Sequence, residues 1–320
     1  MIKKLSFITL LVFIGCSKNS TEEVSENLHR NQFQEVNSNF SGVRFSNDLT
    51  PKGDLNIIEY LYFYNGGGVA LGDINNDGLD DIYFTANQKA DQLYLNEGNL
   101  QFENISLKSN ISQEESWSTG VTMVDINNDG FLDIYVCKVG NYKNLKSKNE
   151  LYINQGDTTF KEQAKEYGLD FSGFSTQASF FDYDNDGDMD MYLLNHSVHS
   201  TYSYGNKDLR EKSDPLAGDA LFENQSEKGV QKFIEVTKKA GIYNSALGYG
   251  LAITTSDVNK DGFIDIYVGN DFHENDYLYI NNGDKTFTES SEDYFSNTSR
   301  FTMGVDSGDL NNDTQPDIVT

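Results

Sequence analysis

Short apolar runs and acidic turns follow one another along the chain in a fixed order, and that order recurs. A run of small and apolar residues comes first: Gly68-Val-Ala-Leu-Gly72, Gly120-Val-Thr-Met-Val124, Gln177-Ala-Ser-Phe-Phe181, Gly250-Leu-Ala-Ile-Thr254 and Gly304-Val-Asp-Ser-Gly308. An acidic turn follows, then a second apolar run, as in Ile82-Tyr-Phe84, Ile134-Tyr-Val136, Met191-Tyr-Leu193 and Ile266-Tyr-Val268. These runs are continuous rather than alternating, the pattern of strands covered on both faces. A hairpin completes each unit: Gln92-Leu-Tyr-Leu-Asn96 with Gln101-Phe-Glu103, Glu150-Leu-Tyr-Ile-Asn154 with Phe160, Ala220-Leu-Phe-Glu-Asn224 with Phe233-Ile-Glu-Val236, and Tyr277-Leu-Tyr-Ile-Asn281 with Phe287. Gly98, Gly156 and Gly283 fall in the hairpin turns, where backbone twist favours them.

The acidic turns begin at residues 73, 125, 182, 257 and 309, with intervals of 52, 57, 75 and 52 residues. A polar insertion from His196 to Asp219 accounts for the long interval. Four short strands in a repeat of this length make one blade of a β-propeller, and blades packed face to face leave no polar side. No window keeps a 3.6-residue period for three turns, which excludes a helical solenoid. The predicted fold is all-β, a propeller of four-stranded blades: five repeats are present, the last incomplete, and about seven are expected in a complete ring. Phe33-Gln-Glu-Val36, followed by Gly42-Val43, matches the outer strands Phe102-Glu-Asn-Ile105 and Phe233-Ile-Glu-Val236. The chain is therefore expected to open with the fourth strand of a blade whose other strands come last, closing the ring and removing an open edge. Since the sequence stops at Thr320, two strands into the fifth repeat, it is read as a fragment of a longer propeller.

Ahead of the repeats, Lys3-Lys4 precedes an apolar run from Leu5 to Ile14. The run is too short to span a bilayer and fits a signal peptide over residues 1–15. Phe13-Ile14-Gly15-Cys16 resembles a bacterial lipobox, which would make Cys16 the lipidation site and the first mature residue; an ordinary signal peptide with an incidental cysteine is the alternative. Residues 16–31 then read as a flexible tether and 32–320 as the propeller. The expected location is the outer membrane or cell surface, with membrane contact through the lipid anchor only. Past Cys16 the sole cysteine is Cys137, read as a small buried hydrophobe, so no internal disulfide is available.

The turns carry the candidate chemistry. They place Asp73, Asn75, Asp77 and Asp81 at positions 1, 3, 5 and 9, then Asp125, Asn127, Asp129 and Asp133, and Asp182, Asp184, Asp186 and Asp190 in the same places. Asp257, Asn259, Asp261 and Asp265 follow, and last Asp309, Asn311, Asp313 and Asp317. Hard oxygen donors at this spacing suit Ca²⁺, which takes six to eight oxygens in flexible geometry. No His or Cys stands at a ligand position, which argues against transition metals. An EF-hand would need Glu at position 12, where the first four turns have Phe84, Val136, Leu193 and Val268. Gly at position 6 permits positive φ; the fifth turn has Thr314 there, which makes its site the least certain of five. A simpler reading of the same residues is Asx-Gly turns with no ion. The formal charge of −26 excludes a nucleic-acid surface as the default, and five bound Ca²⁺ would bring it to −16.

This pattern resembles the FG-GAP/VCBS repeat of integrin α-subunit propellers and bacterial surface proteins. Asp182 to Asp190, the following Leu193-Leu-Asn-His196, and Phe233-Ile-Glu-Val-Thr-Lys-Lys-Ala-Gly-Ile242 resemble the cartilage acidic protein (ASPIC/UnbV) family. The resemblance implies calcium ligation by the Asp and Asn positions named above, and an adhesion or ligand-binding module for a glycan or protein rather than an enzyme. The alternatives are a calcium-dependent polysaccharide lyase or hydrolase, or a scaffold of a glycan-uptake assembly. Enzyme candidates concentrate in the insertion, at His196, His199, Tyr202, Tyr204, Arg210 and Glu211; two histidines in a polar loop are read first as surface residues. Trp117, the sole tryptophan, is either a sugar platform or an aromatic packed on a blade edge.

Overall fold

A computed structural model describes residues 33–198, 207–227 and 230–320. The signal peptide, tether and Cys16, and His199, Tyr202 and Tyr204, lie outside the described residues. The fold is all-β, made of antiparallel sheets in chain order. Blade one holds β1 (Val69–Gly72), β2 (Asp81–Phe84), β3 (Gln92–Gly98) and β4 (Gln101–Asn104). Blade two holds β5 (Ser118–Val124), β6 (Asp133–Lys138), β7 (Glu150–Asn154) and β8 (Phe160–Glu162). Blade three holds β9 (Ser175–Phe181), β10 (Asp190–Asn195), β11 (Ala220–Asn224) and β12 (Phe233–Glu235). Blade four holds β13 (Gly250–Ser256), β14 (Asp265–Asn270), β15 (Tyr277–Asn281) and β16 (Phe287–Glu289), and β17 (Asp306–Gly308) pairs with β18 (Asp317–Val319) in the fifth.

The continuous apolar runs are explained by what covers them. Every residue of β6, β10 and β14 is buried, because each second strand is sandwiched between neighbouring blades. Tyr83, Leu93, Ile134, Val136 and Phe160 form the core between blades one and two. Tyr135, Leu151, Met191, Leu193 and Phe233 fill the next interface, and Tyr192, Leu221, Ile266, Val268 and Tyr279 the one after. Full burial of side chains this size contributes about 1.5–3 kcal/mol each, so each blade depends on its neighbour for its core. Cys137 is buried in the same layer, as expected.

First strands of successive blades lie side by side, β1 against β5, β5 against β9, β9 against β13, β13 against β17. Their small residues permit this approach. Gly68 N–H donates to the Thr119 carbonyl at 2.8 Å, and Thr119 Oγ1 to the Ser175 carbonyl at 2.8 Å.

A polar clamp recurs inside the blades. The residue before each third strand accepts a backbone N–H from the end of the second strand: Asp91 from Ala86, Asn149 from Lys138, Asp219 from Asn195, Asp276 from Asn270. Each also bonds the tyrosine of that second strand, namely Tyr83, Tyr135, Tyr192 or Tyr267. The tyrosine hydroxyls are thereby satisfied within the packed layer, as buried polar groups require.

The expected opening strand is not formed. Phe33 to Val36 has no strand pairing, and Phe33 is 91% exposed, because no third strand stands beside it among the described residues. The segment after it nevertheless sits as a blade connector does. Helix α1 (Ser38–Ser41) ends at Gly42 with φ of 79°, where a Cβ would stand 2.3 Å from the Phe102 carbonyl oxygen. Arg44 N–H donates to Tyr94 Oη, as Ser112 N–H does to Tyr152 and Tyr243 N–H to Tyr279.

Candidate metal centre

All five acidic turns connect the first to the second strand of a blade and share one backbone path. The fourth residue is left-handed in each: Asn76, Asn128, Asn185, Lys260 and Asn312, with φ between 58° and 63°. Asparagine tolerates this region better than other non-glycine residues, which explains its presence in four turns. The sixth residue is also at positive φ, including Thr314 at 70°, where a β-branched residue is strained.

The side chains fold inward onto the loop's own N–H groups. In the first turn Asp73 Oδ1 accepts from Asp77 N–H at 3.0 Å and Asp73 Oδ2 from Gly78 N–H at 2.7 Å. Burial alone would raise the Asp73 carboxyl, but donors from Gly78 and Asp77 outweigh it and hold it below its usual range. In the first four turns the ninth-position carboxylates are buried and tie three elements together. Asp81 accepts from Ile74 N–H and Asn96 N–H, Asp133 from Ile126 and Asn154, Asp190 from Tyr183 and Asn224, Asp265 from Val258 and Asn281. Desolvation pushes Asp133 up to about 7 and Asp190 up to about 8 despite those bonds. The spacing predicts these aspartates as ligands; the structure also makes each of the four the anchor between its turn and the third strand.

One substitution separates the third turn from the rest. In the other turns the third residue is Asn, whose amide donates to the fifth residue, as Asn75 Nδ2 does to Asp77 Oδ2 at 3.0 Å. Asp184 has no proton to give, so that internal bond is lost. Asp182, Asp184 and Asp190 each bring a carboxylate oxygen within 4.8 Å of the others, a grouping among the described residues that fits a divalent cation. The Asp184 side chain is 1% exposed, and its Oδ1 has no hydrogen-bond partner. Asp188 Oδ1, at position 7 of the same turn, also has none. Lys285, from the β15–β16 hairpin of the next blade, reaches Asp184 Oδ2 at 2.5 Å and Glu223 Oε1 at 2.9 Å. Neither Asp188 nor Lys285 was singled out from the sequence. Asp188 stands in the turn and could have been found there, whereas Lys285 arrives from 101 positions beyond Asp184 and could not.

The enzyme candidates fare differently. His196 is not a surface residue: it is 2% exposed, with Tyr60 Oη 2.9 Å from Nε2 and Thr176 Oγ1 3.2 Å from Nδ1. Arg210 is half-buried against Glu274, its Nε donating at 2.8 Å, and Glu211 is exposed. Trp117 is buried at the core of an aromatic cluster with Tyr60 and Phe63.

Face-packed four-stranded blades, each with a nine-residue acidic turn between its first and second strands, define a repeat β-propeller, a class that suggests ligand binding or adhesion. The chain belongs to the FG-GAP-like repeat family, whose sequence profile matches residues 73–136, 139–193 and 257–320, more than half its length. Cartilage acidic protein 1 of Mus musculus is 27% identical over 168 residues, covering 49% of this chain and 25% of that protein. The chain thus matches about a quarter of that relative's length. Among solved structures, an Agrocybe aegerita lectin described as recognising non-reducing terminal N-acetylglucosamine aligns with 78% of this chain and 59% of that one, at a TM-score of 0.40 and 17% identity. A Photorhabdus luminescens Tc holotoxin pore aligns with 78% of this chain and 13% of that one, at a TM-score of 0.27 and 14% identity. Neither superposes closely enough to carry an argument about this chain.

Proposed function

We propose that this chain is a calcium-stabilised propeller, displayed at the cell surface or outer membrane, that binds a glycan or protein ligand rather than transforming it. The observation that carries the reading is the third turn: three carboxylates converge, and a wholly buried carboxylate oxygen, Asp184 Oδ1, lacks a partner. A buried carboxylate oxygen without a partner is costly even where its twin oxygen meets Lys285, and a bound cation would remove the cost. Asp182, Asp184 and Asp190 would hold the ion, with Asp186 and Asp188 close by. Calcium there would stabilise the fold by pinning the first strand of the blade to the second. The other four turns would use the same positions, since each carboxylate oxygen that accepts one N–H keeps a second lone pair. Proteins built from these repeats are commonly extracellular, in keeping with the signal peptide and lipidation at Cys16 expected from the sequence. Among the described residues no helix is long and apolar enough to cross a membrane.

Calorimetric titration with CaCl₂ and thermal melts with and without excess EDTA test the reading. Saturation at 100 times Kd would raise stability by about 2.7 kcal/mol per site, so chelation is expected to lower Tm by several degrees. Melts that superimpose, together with no heat of calcium binding, would refute it.

A further inference from the structure

The acidic turns occupy one end of the inner strands, and the other end carries a feature that the repeats do not explain. Residues 45–68 lie across that end and bring Tyr60, Tyr62 and Phe63 into an aromatic cluster with Trp117, Phe174 and Tyr249. Lys143 Nζ fixes the segment by bonding Glu59 Oε2 at 2.7 Å and the Asp54 carbonyl at 2.9 Å. Between this segment and the starts of β5 and β9 is a cavity of about 360 Å³, within the range of small-molecule sites.

The lining has a consistent chemistry. Tyr64 supplies an exposed ring, Gln177 an amide and Thr176 a hydroxyl, and the buried Tyr60, Trp117 and His196 form the wall behind them. Among the described residues, no Asp, Glu, Lys or Arg lines the cavity. Both His196 ring nitrogens face hydroxyls, and burial holds its pKa down at about 3, so the ring is uncharged at neutral pH. Tyr64 is 60% exposed and leaves a ring face open at the rim. A charged ligand would lose its hydration here with no counter-charge to replace it. A ligand with apolar C–H faces and several hydroxyls would stack on the Tyr64 ring and exchange hydrogen bonds with amide and hydroxyl groups.

We propose that this cavity at the axial end of the inner strands is a binding site for a neutral sugar residue. The proposal rests on the reading of the chain as a ligand-binding propeller and gives that ligand a class and a place. It also gives Trp117 and His196 a shared location that their separation of 79 positions conceals in the sequence.

Trp117 is the only tryptophan, so fluorescence excited beyond the tyrosine absorption band reports on the wall of this cavity. The calcium-loaded chain is titrated with glucose, galactose, N-acetylglucosamine and their β-linked disaccharides, and in parallel with glucuronate. At least one neutral sugar is expected to give a saturable change in emission, with glucuronate at least tenfold weaker than glucose. Tyr64→Ala and Gln177→Leu, at positions outside the blade cores, should each weaken binding tenfold or more while Tm stays within the spread of repeat melts. The proposal fails if no neutral sugar alters emission or produces heat up to about 50 mM, if glucuronate binds as well, or if both variants bind like the parent chain. Adhesion to a glycan or protein that persists unchanged in both variants would overturn the axial site and leave the ligand-binding reading standing.

Discussion

Asp219→Asn isolates the electrostatic cost of the polar clamps. Asp219 is buried at 4% exposure, with Oδ1 accepting from Asn195 N–H at 2.8 Å and Oδ2 from Tyr192 Oη at 2.9 Å. Desolvation outweighs both bonds and pushes the carboxyl up to about 7, against about 3.9 in an unfolded chain. A carboxyl raised in the fold favours the protonated native state. Its contribution is therefore fully present below about pH 4, declines as pH rises, and levels off above about pH 7. The gap corresponds to a loss on the order of 4 kcal/mol across that window. Asparagine cannot ionise, and blade two shows that it fits. There Asn149 Oδ1 accepts from Lys138 N–H at 2.8 Å and Nδ2 donates to Tyr135 Oη at 3.0 Å. The variant gives up the Tyr192 hydroxyl donation, a cost of about 1 kcal/mol. Urea unfolding followed by circular dichroism, at saturating calcium from pH 5 to pH 8, measures the difference between the two proteins. Asp219→Asn should be equal or weaker at pH 5 and more stable by about 1–3 kcal/mol at pH 8. A difference that stays constant across the range would show that Asp219 does not titrate with the fold, and the desolvation argument would fall.

Two further outcomes follow from the turns and the inner strands. Lys285→Ala removes the cation bridging Asp184 and Glu223; because Lys285 is 42% exposed and screened, calorimetry should show calcium affinity of the third turn rising only about three- to tenfold, up to ~1.4 kcal/mol, and unchanged or weaker binding would refute the competition. Gly120→Ala places a Cβ 2.1 Å from Gln177 Oε1 and 2.5 Å from the Thr176 carbonyl oxygen, so thermal melts should show a loss of about 1–3 kcal/mol as the inner strands of blades two and three are forced apart, and an unchanged Tm would show that the strands have slack.

Features that repeat along the chain were legible in it. Continuous apolar runs such as Ile134-Tyr-Val136 marked the second strands because burial on both faces leaves no polar position, and Asx-Gly turns marked their starts because few other residues accept two positive φ values in three positions. The left-handed fourth residue was there to be read in the asparagines at 76, 128, 185 and 312. The clamps were less visible, since blade two uses Asn149 where the others use Asp and the partner tyrosine lies 8–27 residues earlier. Phe33 to Val36 shows the opposite failure. Its pattern matches an outer strand, but a strand exists only where a neighbour supplies hydrogen bonds, and the described residues contain no such neighbour.

Contacts between blades decide what the repeats alone leave equal. The third turn differs from the others by Asp184 in place of Asn, a change of one atom in the sequence pattern. Within the turn that change removes a donor and leaves a buried carboxylate with an open oxygen. Lys285 answers it from the next blade, where the second blade's hairpin has Thr158 and the first blade's has Leu100 at the corresponding place. A propeller in which all turns were equivalent would need no such lysine. The pairing of an extra acid with a basic residue from outside its own repeat marks this turn as the one whose charge the fold balances through Lys285, a role that the proposed calcium ion would take over on binding. The third turn should therefore dominate the response to chelation, and Asp184→Asn, which restores the internal hydrogen bond of the other four turns, should make the melt of the whole chain less sensitive to EDTA.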